Sequence, residues 1–208
     1  MDEYDLDQAY EIHGAEDAKK LYGDWAATYD TSFGEAWGYV APRRIAEIYL
    51  ATRKTADDAP VLDVGAGTGL VAEALPGLTV DGVDISPEML AQAEAKGLYR
   101  DRILADLTAT LPMADGSYDG LISCGTFTHG HVGPECLPEL LRVARPGALF
   151  VCGTRPAVYD GMGFGSALAL LVASGTVTPL TFHEIGIYEG ASHDHAADTG
   201  LVMVFRKL

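Results

Sequence analysis

The chain is short of positive charge. Its 208 residues carry 14 lysines and arginines against 30 aspartates and glutamates, a formal charge of −16 at neutral pH. Basic residues occur at most in pairs, such as Arg43-Arg44 and Lys19-Lys20. Phosphate backbones and anionic lipid surfaces are held by clustered lysine and arginine, so neither nucleic acid nor a membrane is expected as a partner. Long apolar runs are missing as well. The most apolar helical stretch, Met162 to Ser174, falls short of the ~20 residues that cross a bilayer. The first residues, Met1-Asp2-Glu3-Tyr4-Asp5, are acidic where a secretory leader carries an apolar core. There are only three cysteines, Cys124, Cys136 and Cys152. Their odd number and non-metal spacing exclude a disulfide framework and suit reduced thiols in a cytoplasmic protein, with no metal site.

What is present is organised around Val61-Leu62-Asp63-Val64-Gly65-Ala66-Gly67-Thr68-Gly69. A short apolar run with one acidic residue leads into three glycines at alternate positions, and an amphipathic stretch, Leu70 to Leu75, follows. The pattern predicts a parallel strand, a tight turn and the start of a helix. Glycine serves where backbone turns sharply or a ligand approaches it closely. The helix start beyond offers unpaired N–H groups. The dinucleotide fingerprint spaces its second and third glycines by two residues; here one residue separates them, and Asp63 stands just ahead. A carboxylate there repels a pyrophosphate and favours a ligand carrying an ammonium and a sulfonium. The residues therefore favour S-adenosylmethionine over NAD.

A second strand, Thr79 to Val83, ends at Asp84, nineteen positions beyond Gly65. This is the distance at which a doubly wound nucleotide-binding unit presents a carboxylate to a ribose. Helix signals follow at Ser86-Pro87 and Gly97. A third strand, Arg102 to Ala105, delivers Asp106. A fourth covers Tyr118 to Cys124. A helix begins at Pro138 and stops at Arg145-Pro146-Gly147, and Ala148 to Gly153 forms a fifth strand. Such alternation gives a parallel sheet with helices on both faces. Ahead of it, the apolar stripe from Ala15 to Tyr29 predicts one helix, and a second starts at Pro42. Behind it, Met162 to Ser174 reads as a helix, and Val177–Tyr188 with Gly200–Arg206 as a closing hairpin. Asp81, mid-strand, is expected to be solvated. His193-Asp194-His195 reads as a solvated hairpin loop. His183 alternates with Ile185 and Ile187 in a strand that looks buried.

Over Val61–Gly69, Gly82-Val83-Asp84-Ile85-Ser86 and Ile103-Leu104-Ala105-Asp106-Leu107, the chain resembles the class I S-adenosylmethionine-dependent methyltransferases. The resemblance covers about Ala59 to Thr154. It implies a three-layer, doubly wound, seven-stranded, mostly parallel sheet with an antiparallel C-terminal strand. One methyltransferase domain would span residues 1–208: a helical lid (1–58), a cofactor-binding core (59–154), and a helix with closing hairpin (155–208). Through Tyr22-Gly23, Trp25-Ala26, Tyr29-Asp30 and Gly130-His131-Val132, the chain is most similar to the small stand-alone subgroup that includes methyltransferase-like protein 27.

The resemblance also assigns roles. Asp63, Gly65, Ala66 and Gly67 would hold the methionine part, Asp84 the ribose and Ile85 the adenine flank, with Met89 also in the cofactor set. Asp106 would accept from the adenine amino group, beside Leu107. Tyr29 in the lid and Cys124 after the fourth strand would complete the cofactor set. His129 is the candidate base, since imidazole titrates near neutrality. The expected activity is methyl transfer to a small molecule by in-line displacement. The alternatives are a non-catalytic S-adenosylmethionine-binding regulator and, less well supported, an NAD-dependent oxidoreductase.

Overall fold

The computed structural model describes residues 15–54, 60–128 and 132–208. Strand β1 (Val61–Val64) has four consecutive buried residues, as a strand covered on both faces requires. It pairs in parallel with β2 (Val80–Asp84) on one side and β4 (Tyr118–Phe127) on the other. Beyond β2 lies parallel β3 (Arg102–Leu104), and beyond β4 lies parallel β5 (Ala144–Thr154). The last two strands are β6 (Thr181–Gly186) and β7 (Thr199–Arg206). β7 runs antiparallel to both β5 and β6. The seven-stranded order is therefore β3-β2-β1-β4-β5-β7-β6, and one strand of the seven is reversed.

Helices cover both faces. On one side α2 (Ala41–Thr52), α3 (Leu70–Glu73) and α4 (Pro87–Lys96) bury Ile45, Tyr49, Val71, Leu90 and Ala93 against Val61, Val80, Ile122 and Val151. On the other, α5 (Leu137–Val143), α6 (Pro156–Gly161) and α7 (Phe164–Ala173) pack Leu140, Val158, Phe164 and Leu168 onto Leu62, Val83, Phe127 and Phe150. The N-terminal α1 (Ala15–Trp25) joins a smaller cluster built on Trp25 and Tyr188. None of the described helices is long and apolar enough to cross a membrane.

Several local expectations are corrected. The first helix stops at Trp25, and residues Asp30–Glu35 form a π-helical turn. In that turn Thr31 and Ser32 both donate to the Thr28 carbonyl, a side-chain alternative to the helical pattern, and Ser32 accepts from the Trp25 indole. The helix after the glycines is a single turn, Leu70–Glu73, so its dipole adds little there. α5 ends at Val143, and β5 starts at Ala144, three residues before Gly147; Pro146, which lacks an N–H, sits in the exposed start of that strand. The tail helix forms as α7, starting after Gly163, whose φ is +84°, and a further short helix, α6, precedes it unannounced.

Asp81 is buried, not solvated. Arg100 meets it with two guanidinium nitrogens and Tyr118 donates its hydroxyl at 2.9 Å. The closing hairpin forms, but β7 docks on β5 and leaves β6 as the edge. Its first four residues, His183 included, are therefore exposed.

Candidate functional site

Because β2 lies to one side of β1 and β4 to the other, the chain reverses its winding there, and a crevice opens beyond the strand ends. It encloses about 1010 Å³ counted out to open solvent. The glycine turn forms its floor. Gly65 has φ +70°, and a Cβ on it would come within 1.9 Å of the Thr126 hydroxyl. The Gly65 and Ala66 N–H groups donate to the Val83 carbonyl at 2.9 Å, while Ser123 and Thr126 donate to the Val64 carbonyl. The turn is thus fastened to both neighbouring strands. Gly67, with φ +52°, differs: a Cβ there meets nothing within 4 Å although the residue lines the cleft. It leaves open the space that a side chain would fill.

Asp84 stands at the end of β2 on the cleft wall. Its Oδ2 accepts the Gly67 N–H and its Oδ1 the Ser86 N–H, both at 2.8 Å. Burial pushes its pKa up, and the N–H groups of Ser86, Gly67 and Ile85 pull it back. A carboxylate oxygen accepts more than one donor, so the cleft side of the group remains usable. Asp106, also on the wall, uses Oδ1 to cap its own turn through the Thr108 N–H and hydroxyl. Its Oδ2 takes no hydrogen bond among the described residues. Ile85, Met89 and Leu107 add apolar wall between them, with Met89 and Leu107 buried.

Asp63 is fully buried and is not among the cleft-lining residues. Its Oδ2 accepts from the Tyr99 hydroxyl at 2.7 Å, and its Oδ1 is buried without a partner among the described residues. Burial pushes its pKa up to about 7, opposed by the Tyr99 hydrogen bond and reinforced by Asp84.

The N-terminal segment closes the cleft from above, with Tyr22, Tyr29 and Tyr39 on its lining. Burial drives the Tyr29 and Tyr39 hydroxyls well above their ordinary pKa, so both are neutral. Asp30 accepts from Thr68 in the glycine turn and pairs with Lys96 of α4, which also meets Glu73 at 2.7 Å. Cys124 lies 3.2 Å from the Tyr39 hydroxyl. Burial pushes this thiol up to about 12, so it is a neutral wall group, not a thiolate nucleophile.

A second chamber, about 790 Å³ to its open mouth, shares Tyr22, Tyr29, Tyr39, Cys124 and Gly125 with the cleft. His129 lies outside the described residues, as does His131. Thr128 lines the second chamber and Val132 the cleft. His193 and His195 are half-buried, not solvated. The His193 ring packs 4.6 Å from Trp37 and 4.7 Å from Tyr188, and His195 sits 3.3 Å from Asp198.

The cleft thus gathers Tyr29, Gly65, Ala66, Gly67, Asp84, Ile85, Met89, Asp106, Leu107 and Cys124. Thr68 and Tyr39 also line the cleft and Tyr99 holds Asp63 behind it, none of them marked by motif spacing. For Tyr39, its position in an aromatic, glycine-rich stretch is the available signal.

Residues 62–152 match the family model described as methyltransferase domain. The chain is similar to methyltransferase-like protein 27 of Homo sapiens, 40% identical over 151 residues, which covers 69% of this chain and 61% of that protein. It is also similar to a demethylmenaquinone methyltransferase of Thermus thermophilus, 37% identical over 99 residues and 44% of each chain. An 18S rRNA (guanine-N(7))-methyltransferase of Schizosaccharomyces pombe is 38% identical over 66 residues, 30% of this chain and 25% of that one. The chain therefore spans less than two thirds of the length of these relatives. Among solved structures, the [4+2]-cyclase SpnF superposes with a TM-score of 0.65 at 19% identity, covering 94% of this chain and 97% of that one. That likeness speaks to the fold alone.

Proposed function

The chain belongs, through residues 62–152, to the methyltransferase domain family, and on that premise we propose that it binds S-adenosylmethionine and methylates a small-molecule acceptor. The observation that carries this reading is the junction of two cavities. One is floored by the glycine turn and walled by Asp84 and Asp106; the other opens from it past Tyr39 and Cys124. One cavity suits the methyl donor and the other its acceptor.

The donor site fits the cofactor on three counts. Gly67 leaves room where any side chain would intrude. The Asp106 Oδ2 is an unengaged acceptor suited to an amino group, and behind the glycine turn, off the cleft surface, the Asp63 Oδ1 is a buried oxygen without a partner among the described residues, a charge that would favour a cationic ligand at a distance. In this reading Gly65, Ala66 and Gly67 hold the methionine part, Asp84 accepts from the ribose hydroxyls, and Ile85, Met89 and Leu107 enclose the adenine. When bound, S-adenosylmethionine would supply an electrophilic methyl carbon for the acceptor's lone pair, its sulfur keeping the electrons of the broken bond. The chain's own part is alignment and drying. Holding donor and acceptor in line converts an encounter into an intramolecular step, and exclusion of water protects it.

Residues 1–58 act as the lid, 59–154 as the cofactor core, and 155–208 complete the acceptor side. Tyr29 and Tyr39 provide the lid's inner surface. His129 takes the acceptor's proton where one must leave. The three free thiols suit a cytoplasmic location.

The rRNA-methylating relative raises nucleic acid as an alternative acceptor. The charge of −16 and the lack of clustered cations weigh against it. Titration calorimetry with S-adenosylmethionine, S-adenosylhomocysteine and NAD tests the reading. Micromolar binding of the first two is expected. Binding of NAD alone overturns it in favour of the oxidoreductase, and cofactor binding with no turnover in a broad metabolite screen favours the regulatory alternative.

A further inference from the structure

From the walls of the second chamber we infer that the acceptor is an uncharged, planar aromatic molecule. This rests on the methyl-transfer reading above and narrows it. The chamber is lined by six rings: Tyr22, Trp25, Tyr29, Tyr39, Phe127 and Tyr188. They are drawn from α1, the segment after it, β4, and the stretch beyond β6, so four separate parts of the chain turn aromatic groups toward one space. Trp25 and Tyr29 meet edge to face at 5.0 Å, and Tyr39 and Tyr188 lie 5.9 Å apart at 45°. Rings in such mixed orientations offer both faces and edges to a flat guest.

Charge narrows the guest further. Among the described lining residues Arg155 is the one ionised group, and it is matched by Asp198 at 3.0 Å, which also contacts His195. An anionic acceptor would therefore compete with a carboxylate already in place. Among the described lining residues there is no carboxylate to receive a cationic acceptor, and such a guest would also face the positive sulfonium of the donor. The rings alone could attract a cation, but two like charges at reacting distance in a space walled by apolar groups oppose it more strongly. A neutral guest bears neither cost, since burying an unpaired charge is among the most expensive steps in binding.

The test uses protein saturated with S-adenosylhomocysteine and, in parallel, with the sulfonium-bearing S-adenosylmethionine, and three probes of one shape: 2-naphthol, 2-naphthoate and 2-naphthylmethylammonium at pH 7. The neutral probe is expected to bind at least tenfold more tightly than either ion. Ile185→Asp and, independently, Thr128→Asp put a carboxylate on the chamber wall. In whichever variant still binds S-adenosylhomocysteine, the naphthol should weaken about tenfold and the ammonium should strengthen. Equal or tighter binding of either ion to the unaltered protein overturns the inference, as does displacement of naphthol by a single-stranded RNA oligomer. Product binding without preference for naphthol sinks this inference alone. Failure to bind S-adenosylhomocysteine removes the methyl-transfer reading and this inference with it.

Discussion

Thr68, in the glycine turn, donates its hydroxyl to Asp30, thirty-eight positions earlier in the chain. The other Asp30 oxygen meets Lys96, which holds Glu73 as well. The segment over the cleft is therefore tied directly to the loop beneath it. A hydrogen bond to a charged group contributes about 1.5–3 kcal/mol, whereas the partly exposed ion pair adds at most about 1 kcal/mol. Asp30→Ala should then speed release of S-adenosylhomocysteine roughly tenfold to a hundredfold. Stopped-flow fluorescence of Trp25 and Trp37 reads this; an unchanged release rate would mean that the tie does not hold the segment closed.

Asp84 serves the turn as well as the proposed ribose contact. Asp84→Ala removes its bonds to the Gly67 and Ser86 N–H groups together with the sugar contacts. Cofactor affinity should fall by about 1.5–3 kcal/mol for each charged hydrogen bond lost, with a drop in melting temperature. Asp84→Asn retains the shape and should melt closer to the parent while still binding weakly. Full affinity in either folded variant would contradict the ribose role.

Asp63 makes stability and binding depend on pH in opposite senses. Its pKa of about 7 in the fold exceeds the ordinary 3.8. Between those values the folded protein keeps a proton that the unfolded chain gives up, so stability falls as pH rises from about 4 to about 7, then levels off. The upper bound of that loss is roughly 4 kcal/mol. Asp63→Asn keeps an acceptor for Tyr99 and should flatten the decline in urea melts taken across this range. A cationic ligand favours the carboxylate, so S-adenosylmethionine affinity should climb from pH 6 to pH 8 in the parent and stay level in Asp63→Asn.

His129→Ala should reduce turnover without altering cofactor affinity, because a base contributes to proton removal and not to binding. The expected loss is on the order of a hundredfold or more when the acceptor arrives protonated. An identical pH–rate profile for parent and variant would take His129 out of the mechanism.

The readings that transferred directly from sequence are those encoded over short spans. The alternate glycines, the nineteen-residue step to Asp84, and the Ser86-Pro87 start with its Gly97 stop all act within one strand–helix unit. The readings that did not transfer depend on distant partners. Asp63 looked available for a ligand, but Tyr99, thirty-six positions on, claims one of its oxygens. Asp81 looked solvated because nothing nearby in sequence announces Tyr118. The hairpin pattern showed two antiparallel arms but not which arm would dock; that is decided by β7, whose Val202 to Phe205 are buried where β6 is exposed. The early end of α1 was local, yet the apolar stripe outweighed the Thr31 and Ser32 hydroxyls in the periodicity.

The slot that β7 fills between β5 and β6 dictates a sequence of assembly. β6 is made first but has no neighbour to pair with until Thr199–Arg206 leaves the ribosome. The antiparallel edge of the sheet is consequently the part whose pairing waits for the last strand, while the strands around the glycine turn can already pair.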